Sequence, residues 1–538
     1  MSEQTALPGF IDAPPRRWQH EQVGPADVRH FALRTRDTAF WPDLVAAVTV
    51  GDLVAADAIL RDRLLLGAGV VVAADKLLAF VDHVRSIPLF FDRRCPGRVS
   101  NDARALLRGG ERVDVTGVLE MQMAGYVSGW DTVVADIGQI QAGGRLFAVG
   151  DQVDAARYWT YRHAVDHDRS EADFAEELHH LLDQAMRRTV VHAAGRPIWA
   201  PLSGGLDSRL IVAKLHQLGY DNLNVFSYGP SGNWEARHAR RVANRLGLDW
   251  FLLPSTRADY RAFFHSPERR EYWRFADNLS SLPNPQDILP LLQLRRAGRL
   301  SDDAVIVNGQ SGDFITGGHI LPPLRNDPPG QQTLANTVVG KHYSLWKSMV
   351  TAPNLDVLTA KMWRTMGLEP GAPLTRAEMM DHYESWEYSE RQAKFVVHGQ
   401  RIYDFLGLDW DLPLWDFDLA RFFQTVPVEL KFGQHLYRRV LREWDWKGLF
   451  SQPEPNIWRW PGASILAVPT ARVVGAVMGA KAKQRFYQHC MYWGHTRQFY
   501  APYGWAEFRR TCHDARHGLA LDTRCWLQEN SSLWSGRP

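Results

Sequence analysis

One hexapeptide combines the residue types that bind a chain of phosphates. It reads Ser203-Gly204-Gly205-Leu206-Asp207-Ser208. Apolar residues 197–202 before it predict a β-strand, and apolar residues at helical spacing after it predict a helix that ends near Gly219. A strand that turns through glycines into a helix presents free backbone N–H groups and the positive helix end to a phosphate, and Asp207 could hold Mg²⁺ against the phosphate oxygens. The alternative is an ordinary Gly-Ser turn.

A second strand runs into a glycine turn that also carries an acid. After the predicted strand 305–308 the chain reads Gly309-Gln310-Ser311-Gly312-Asp313, with a double glycine at Gly317-Gly318. Two such turns in one sheet could hold the two ends of a triphosphate, with Asp207 and Asp313 sharing the magnesium ion. The alternative is a simple turn at the double glycine, with Asp313 as a helix cap.

The elements that must position these turns alternate along the middle of the chain. Strands are predicted at residues 198–202, 223–227, 250–253 and 305–308, with helices between them. This alternation predicts a parallel sheet wrapped by helices, with ligands at the carboxyl ends of the strands. Residues 1–150 are predicted to be β-rich, a helix-start box at Ser170 opens a helix towards Val191, and residues 330–450 are predicted to be mainly helical. The predicted domains are residues 1–160, 161–460 and 461–538.

The composition does not indicate a protein that binds polyanions or one that is rich in disulfides. The 538 residues carry a formal charge of only +2, so no nucleic-acid partner is expected. The four cysteines have neither zinc-site nor disulfide-framework spacing. The N-terminus has no apolar signal core, and the apolar stretch 465–480 is too short and too interrupted to span a membrane. We therefore expect a cytoplasmic protein without a membrane span.

The two glycine turns together carry a resemblance to a known family. The first resembles the S-G-G-x-D-S signature of the PP-loop ATP pyrophosphatases, and the pair resembles the synthetase domain of asparagine synthetases, β-lactam synthetases and lasso-peptide cyclases. The resemblance implies an enzyme that uses ATP and Mg²⁺, cleaves ATP between the α- and β-phosphates and leaves AMP. It also implies that Asp207 and Asp313 are catalytic and bind the metal. The nucleotide-binding residues that it implies are Leu202, Ser203, Gly204, Gly205, Leu206, Ser208, Phe226, Gly309, Gln310, Ser311 and Gly312.

The chain departs from this family at the second turn. In asparagine synthetases this turn reads G-E-G-S-D-E-x-x-G-G-Y, so Gln310 and Phe314 stand where the family has glutamates. These two changes remove carboxylates that could bind metal or orient the substrate. They argue against ordinary aspartate as the acceptor.

A later helical segment also resembles the family, but it lacks the family's lysine string. Residues 412–416, 426–431 and 437–442 are similar to the P-L-x-D … L-P-x-x-x-K … L-R pattern. The catalytic lysine that follows in a W-R-x-K string is missing, since the chain reads Trp458-Arg459-Trp460-Pro461. Lys431 is the catalytic candidate in its place, and Arg459 is an alternative; Lys431 could equally be a solvated helix charge.

The N-terminal part resembles the family's glutaminase domain without its nucleophile. Residues 82–91 resemble the D-x-x-R-S-x-P-L-F-Y strand pair, and residues 137–143 resemble the I-x-x-L-x-A-G hairpin. Glutamine-using members have cysteine directly after Met, whereas this chain has Ser2 after Met1 and its first cysteine at Cys95. The resemblance therefore implies a degenerate glutaminase, with a nucleophilic role of Ser2 as the alternative.

These expectations define one fold class and one enzyme class. The fold class is α/β: an N-terminal Ntn-hydrolase-like β-sandwich, then a PP-loop parallel-sheet synthetase domain with a helical C-terminal part. The function is that of an AMP-forming amide ligase that joins a small-molecule carboxylate to ammonia or an amine. Residues 308–314, 401–405 and 412–416 look most like relatives associated with bacterial surface polysaccharides, which implies amidation of a uronic acid. Asparagine synthesis, β-lactam or lasso-type ring closure and a non-catalytic nucleotide-binding scaffold are the alternatives, and a homodimer or a separate glutaminase are the possible protein partners.

Overall fold

The structure is a computed structural model. It describes residues 9–11, 18–95, 97–451, 467–490, 492 and 502–533. Within this part of the chain, no helix combines the length and the apolar character needed to cross a membrane.

The N-terminal region forms two β-sheets. One has four strands in the order β1-β7-β6-β8, and the other has six antiparallel strands in the order β10-β9-β5-β4-β3-β2. The strands are β1 Gly9–Ile11, β2 Gln19–Val23, β3 Ala26–Thr35, β4 Leu64–Ala73, β5 Lys76–Val81, β6 Phe90–Asp92, β7 Arg98–Ser100, β8 Ile137–Gln139, β9 Gly144–Val149 and β10 Gln152–Arg157.

Helices cover one face of the six-stranded sheet. The sequence predicts a β-rich region here, but α1 (Phe40–Val50) and α2 (Leu53–Arg63) interrupt the strands, and α3 (Val115–Ala124) follows later. Phe40 and Leu44 of α1 pack on Leu78 and Phe80 of β5, because the apolar side chains of α1 recur at helical spacing. Each face of this sheet is therefore covered by an apolar layer.

A parallel sheet of five strands forms the centre of the molecule. Its order is β13-β12-β11-β14-β15, and every pair in it is parallel. The strands are β11 Ile198–Pro201, β12 Leu223–Gly229, β13 Trp250–Pro254, β14 Val305–Val307 and β15 Asp409–Asp411. The chain moves outward from β11 through β12 to β13 and then returns to β14 on the other side of β11. The order therefore reverses between β11 and β14, which is where sheets of this kind bind ligands at the strands' carboxyl ends.

Helices surround this sheet and continue beyond it. The first, α4, begins with a capping box in which Ser170 and Asp173 bond each other's backbone N–H groups. The following α-helices are α4 Glu171–Ala193, α5 Leu206–Gln217, α6 Trp234–Leu246, α7 Arg257–Phe264, α8 Pro267–Ala276, α9 Ile288–Arg296, α10 Gly312–Ile315, α11 Pro322–Asn326, α12 Gln331–His342, α13 Ala352–Met366 and α14 Arg376–Trp386. A π-helix, Glu387–Val396, continues directly from α14. The remaining α-helices are α15 Arg401–Phe405, α16 Phe417–Thr425, α17 Val428–Lys431, α18 His435–Trp444, α19 Ala467–Met478, α20 Ala480–Cys490, α21 Trp505–Thr511 and α22 Gly518–Glu529.

Short 3₁₀ turns connect several of these elements. They are Ala103–Leu106, Lys347–Met349, Val397–Gln400, Pro413–Trp415, Phe432–Gln434, Trp446–Gly448 and Ser531–Leu533.

The predicted fold class is confirmed: the chain is α/β, with an antiparallel N-terminal region, a parallel sheet and many helices. The last helix, α22, packs into the apolar core of the molecule. In α22, Trp526 is fully buried and donates from Nε1 to Asp277. One apolar core runs from β4 through the parallel sheet to α22, so the packing does not mark separate domains. The domain boundaries at residues 160 and 460 therefore stay a prediction.

Candidate active site

The first glycine turn joins β11 to α5 at the point where the sheet order reverses. Ser203 and Ser208 lie together, with 3.1 Å between their hydroxyl oxygens, and Gly205 donates its N–H to the Ser203 hydroxyl. No side chain of the described residues caps the first turn of α5. The N–H groups and positive end of that helix therefore face the turn, which makes it suited to a phosphate.

The second glycine turn lies directly against the first. A Cβ atom on Gly309 would stand 2.9 Å from the Asp207 Cβ, and one on Gly312 would stand 2.7 Å from the Asp207 Cγ. Neither position has room for a side chain, so the glycines allow the two turns to touch. Between them, Ser311 has a left-handed backbone with φ of 64° and donates from its hydroxyl to Gln392 at 2.6 Å.

The structure brings the two predicted metal-binding acids together. The backbone N–H of Asp313 donates to the Asp207 carboxylate, and Tyr437 donates to the same carboxylate at 2.8 Å. Burial and the negative charge of Asp313 raise the pKa of Asp207 to about 7, against the opposing effects of Tyr437 and Arg438. Two carboxylates in this arrangement repel each other, and a shared cation would remove the repulsion.

His319 and Glu387 complete this cluster, and the sequence analysis did not assign them. His319 contacts Asp313 through Nε2 at 3.1 Å and Glu387 through Nδ1 at 3.0 Å. Burial disfavours a charged ring, but these two carboxylates outweigh it and raise the pKa of His319 to about 9. Burial alone would raise the pKa of Glu387, but nearby His342 and Lys341 hold it well below its usual range. His319 therefore links the exposed Asp313 carboxylate to the fully buried Glu387 through two charged hydrogen bonds.

The π-helix positions Glu387 at this point. Its backbone is wound more widely than an α-helix, a distortion that often occurs at functional sites. Glu384, Glu387 and Glu390 recur every third residue in a largely buried stretch. This run of carboxylates among apolar residues was the available sequence signal, because buried acids need specific cationic partners.

The family resemblance implies that backbone groups of Leu202, just after β11, and of Phe226, inside β12, frame adenine. The N–H of Leu202 donates to the Phe226 carbonyl at 2.8 Å, and the Leu202 carbonyl accepts from the Ser227 hydroxyl at 2.6 Å. These groups already have partners within the sheet. Their contact with adenine stays a prediction.

The two residues that stand where the family has glutamates both contact other residues of the protein. Gln310 accepts a hydrogen bond from Gln400 at 2.6 Å, and Phe314 is buried against Trp415, with 5.8 Å between the ring centroids. Neither supplies a charge to the Asp207–Asp313 pair. This part of the site is thus less acidic than the family pattern.

Lys431 lies in a different cluster from the two acids. Its side chain is completely buried, and Nζ contacts Glu384 at 2.5 Å and the His163 ring at 3.2 Å. Its backbone, by contrast, packs against Gly317 beside the second turn. Because the ammonium group is held in a buried ion pair, the geometry favours a structural role for Lys431 over the predicted catalytic one.

The remaining sequence candidates lie outside the described residues. These are the string Trp458-Arg459-Trp460-Pro461 and the N-terminal Met1 and Ser2.

Mg²⁺ fits the site only together with phosphate oxygens. No group of three or more His, Cys, Asp or Glu side chains that could hold a metal ion occurs among the described residues. Mg²⁺ in nucleotide sites is bound by one or two carboxylates plus substrate phosphates, which matches the Asp207–Asp313 pair.

The fold and the site define a nucleotide-binding parallel-sheet enzyme, with two glycine turns and a pair of acids at the switch point of the sheet. Residues 177–444 match the family model described as asparagine synthase, and the chain belongs to that family through this part of its sequence. It is an ATP-using amide ligase of the asparagine synthase type, from a family that generally uses ATP with Mg²⁺. A search of the curated proteins found no match to the chain.

Proposed function

We propose that the protein activates a small-molecule carboxylate with ATP and transfers the acyl group to ammonia or an amine, with AMP and pyrophosphate as by-products. The observation that carries this proposal is the contact between the two glycine turns, which places Asp207 and Asp313 together at the carboxyl ends of β11 and β14. A triphosphate has negative charge at both ends, and this arrangement offers one backbone cradle to each end.

Each part of the site has a role in the first step. A substrate carboxylate oxygen bonds to the α-phosphorus, and the bond from that phosphorus to the bridging oxygen of the β-phosphate breaks. The turn at residues 203–208 would orient the phosphates through its N–H groups and hydroxyls. Asp207 and Asp313 would hold Mg²⁺, which supplies charge neutralisation for the leaving pyrophosphate.

The second step needs a nucleophile that the described residues do not provide. The nitrogen of ammonia or an amine bonds to the acyl carbon, the carbon–oxygen bond to AMP breaks, and the nitrogen loses a proton. A degenerate glutaminase region would not generate ammonia, so we propose that the nitrogen comes from free ammonia, from an amine substrate or from a separate glutaminase. Homodimer formation is a further proposal.

We propose a uronic acid of a surface polysaccharide as the first acceptor to examine. Its support is the sequence resemblance together with the changed second turn, where Gln310 and Phe314 bring no carboxylate. Aspartate and the substrates of β-lactam or lasso-type ring closure remain the alternatives.

The experiment is release of pyrophosphate from ATP and Mg²⁺ in the presence of ammonium and one candidate acid at a time. We expect a carboxylate to stimulate release, and Asp207→Ala to abolish it. Asp221→Ala is the matched control, because Asp221 is an exposed acid that follows the C-terminal end of α5, the end opposite the first turn. Release that survives in Asp207→Ala would refute the proposal.

One observation favours a second candidate, a non-catalytic nucleotide-binding scaffold. Lys431, the basic residue proposed in place of the family lysine, is held by Glu384. A scaffold would bind ATP, as measured by calorimetry, yet release no pyrophosphate with any uronic acid, aspartate or peptide. Stimulated release with any of these acids excludes it.

A further inference from the structure

A large cavity lies between the N-terminal sheets and the helices that follow the parallel sheet. Its volume is about 640 Å³, enough for a small polar molecule. One wall comes from residues 129–131, 141 and 155–162, and the other from α13, α14 and the π-helix. None of its lining residues belongs to either glycine turn, so the cavity is separate from the candidate active site.

Its charged groups are mostly cations. Arg157, Arg162, Lys361 and Arg364 line the cavity, against the two acids Asp131 and Glu390.

Both of these acids are already neutralised. Asp131 is paired with Arg93 at 2.8 Å and with Lys361 at 3.1 Å. Glu390 is paired with Lys394 at 2.6 Å and accepts the Gly129 N–H at 2.9 Å. The cavity therefore keeps a net positive charge.

One cation in the cavity has no partner. Arg364, near the end of α13, is exposed, and its guanidinium makes no hydrogen bond or ion pair with any described residue. By contrast, Arg162 contacts Asp381 at 3.1 Å. Arg364 is thus available to an incoming anion.

Two buried hydrogen-bond donors on the walls are also unused. Gln141 is 0% exposed and Trp386 is 2% exposed, and neither the Gln141 Nε2 nor the Trp386 Nε1 has a hydrogen-bond partner in the part of the chain that the structure describes. Buried donors of this kind are rarely left unpaired, because they lose their hydration without compensation. Both atoms are closed to water, so they gain an acceptor only if their side chains turn towards the cavity.

The walls also carry neutral polar groups in fixed positions. Arg157 donates to Ser389 at 3.2 Å and to the Gln141 carbonyl oxygen, so its guanidinium is oriented before any ligand arrives. Thr160, Ser385 and His382 add hydroxyl and imidazole groups to the lining. Such groups suit the hydroxyl or amino substituents of a small ligand.

From these observations we propose that the cavity is a second small-molecule site, which binds a polar ligand through a carboxylate held by Arg364. Arginine presents two parallel N–H groups to a carboxylate, whereas the paired acids of the cavity offer nothing to a cationic ligand. The carboxylate could come from a sugar acid or from an amino acid, and both satisfy the same chemistry.

The test is titration calorimetry of the full chain without ATP, with galacturonate, aspartate and the uncharged sugar galactose as probes. We expect at least one of the two acids to bind and galactose not to bind. Galacturonate binding identifies a sugar acid as the source, and aspartate binding identifies an amino acid.

Three variants locate the binding. Arg364→Ala is expected to weaken binding of the acid about tenfold, because it removes a charge-assisted hydrogen bond. Arg187→Ala is the matched control, since Arg187 is an exposed arginine of α4 outside the cavity. Asp207→Ala is expected to retain binding, although it abolishes turnover under the proposed function.

The outcomes separate the two proposals. Absence of binding by both acids, equal binding of galactose, or no effect of Arg364→Ala would overturn the second site and leave the ligase proposal standing. Binding that depends on Asp207 instead of Arg364 would place the acid in the active site and also overturn the second site.

Discussion

At the scale of single residues, the site depends on how two acids are held and not on their presence alone. Asp207 is positioned by Tyr437 and by the Asp313 N–H, and Asp313 is positioned by His319. The acids could be assigned from sequence because each stands in a glycine turn after a strand. Tyr437 and Glu387 could not, because Tyr437 stands 230 residues from Asp207 and Glu387 stands 68 residues from His319. His319 lies only six residues after Asp313, but nothing local shows that its ring turns back to that acid.

Tyr437→Phe tests the support of Asp207. The substitution keeps the buried ring and removes one hydrogen bond to a carboxylate, so we expect pyrophosphate release to fall about tenfold while the fold is retained. Tyr220→Phe is the control, since Tyr220 bonds the Arg196 carbonyl away from the site. An equal fall in both variants would argue against a specific role for Tyr437.

The Glu384–Lys431 pair gives a pH-dependent prediction. Burial disfavours the Glu384 carboxylate, but Lys431 and His163 outweigh it and lower the pKa of Glu384 to about 2. Between pH 4.5 and 2 the Glu384 carboxylate binds a proton in the unfolded state but not in the folded state. The stability that Glu384 contributes is therefore complete above about pH 4.5 and is lost as the pH falls towards 2.

Glu384→Gln should therefore lower the free energy of unfolding at pH 7 by about 3 kcal/mol, because it leaves the Lys431 charge buried without its partner. The difference from the wild type should shrink in urea titrations below pH 4.5. Glu176→Gln, at an exposed position of α4, should show no such trend. A difference that stays constant with pH would show that the ion pair is not the cause.

At the scale of elements, the close contact of the two glycine turns is the feature on which the site depends. The alternation of strands and helices predicted the parallel sheet, because each element shows its own local periodicity. The same periodicity could not reveal the π-helix, because its wider winding has no characteristic local pattern of apolar residues. Its buried charged residues, such as Glu387, bond to groups that are distant in sequence. The prediction of a β-rich region also lacks the helices α1 and α2, although the apolar residues of α1 recur at helical spacing.

Gly312→Ala tests this contact. The added methyl group would overlap Leu414 and stand 2.7 Å from the Asp207 Cγ, so the second turn must move. We expect pyrophosphate release to fall by about 100-fold or more, because a displacement of about 1 Å disrupts catalytic positioning. Gly340→Ala in α12 is the control, because no atom lies within 4 Å of its added Cβ. Full activity of Gly312→Ala would mean that the turns need not touch.

At the scale of the whole molecule, the C-terminal helix is part of the core. Trp526 of α22 donates to Asp277, and Arg269 of α8 forms a two-pronged ion pair with Glu529 at 2.7 and 2.8 Å. These partners stand 249 and 260 residues apart in the sequence. Only the folded chain therefore shows that α22 is anchored.

Trp526→Ala should destabilise the whole chain. Removal of a fully buried indole from a packed core costs about 3–5 kcal/mol, and it also leaves Asp277 without one donor. Urea denaturation measures the loss. Val191→Ala, at a position 78% exposed, is the control and should change the free energy of unfolding by less than about 0.5 kcal/mol. A similar small change for Trp526→Ala would show that α22 is not anchored.

The sequence by itself determined the two glycine turns, their acids, the parallel sheet and the asparagine synthase family, because these depend on residue types at short, local spacing. The tertiary structure alone decided that Lys431 is held in an ion pair, that His319 and Glu387 support Asp313, and that a cationic cavity lies between the two halves of the chain. Apart from the contact between His319 and Asp313, which are six residues apart, each of these joins side chains that are distant in sequence. Their contacts follow from strand order and packing, which local patterns do not specify.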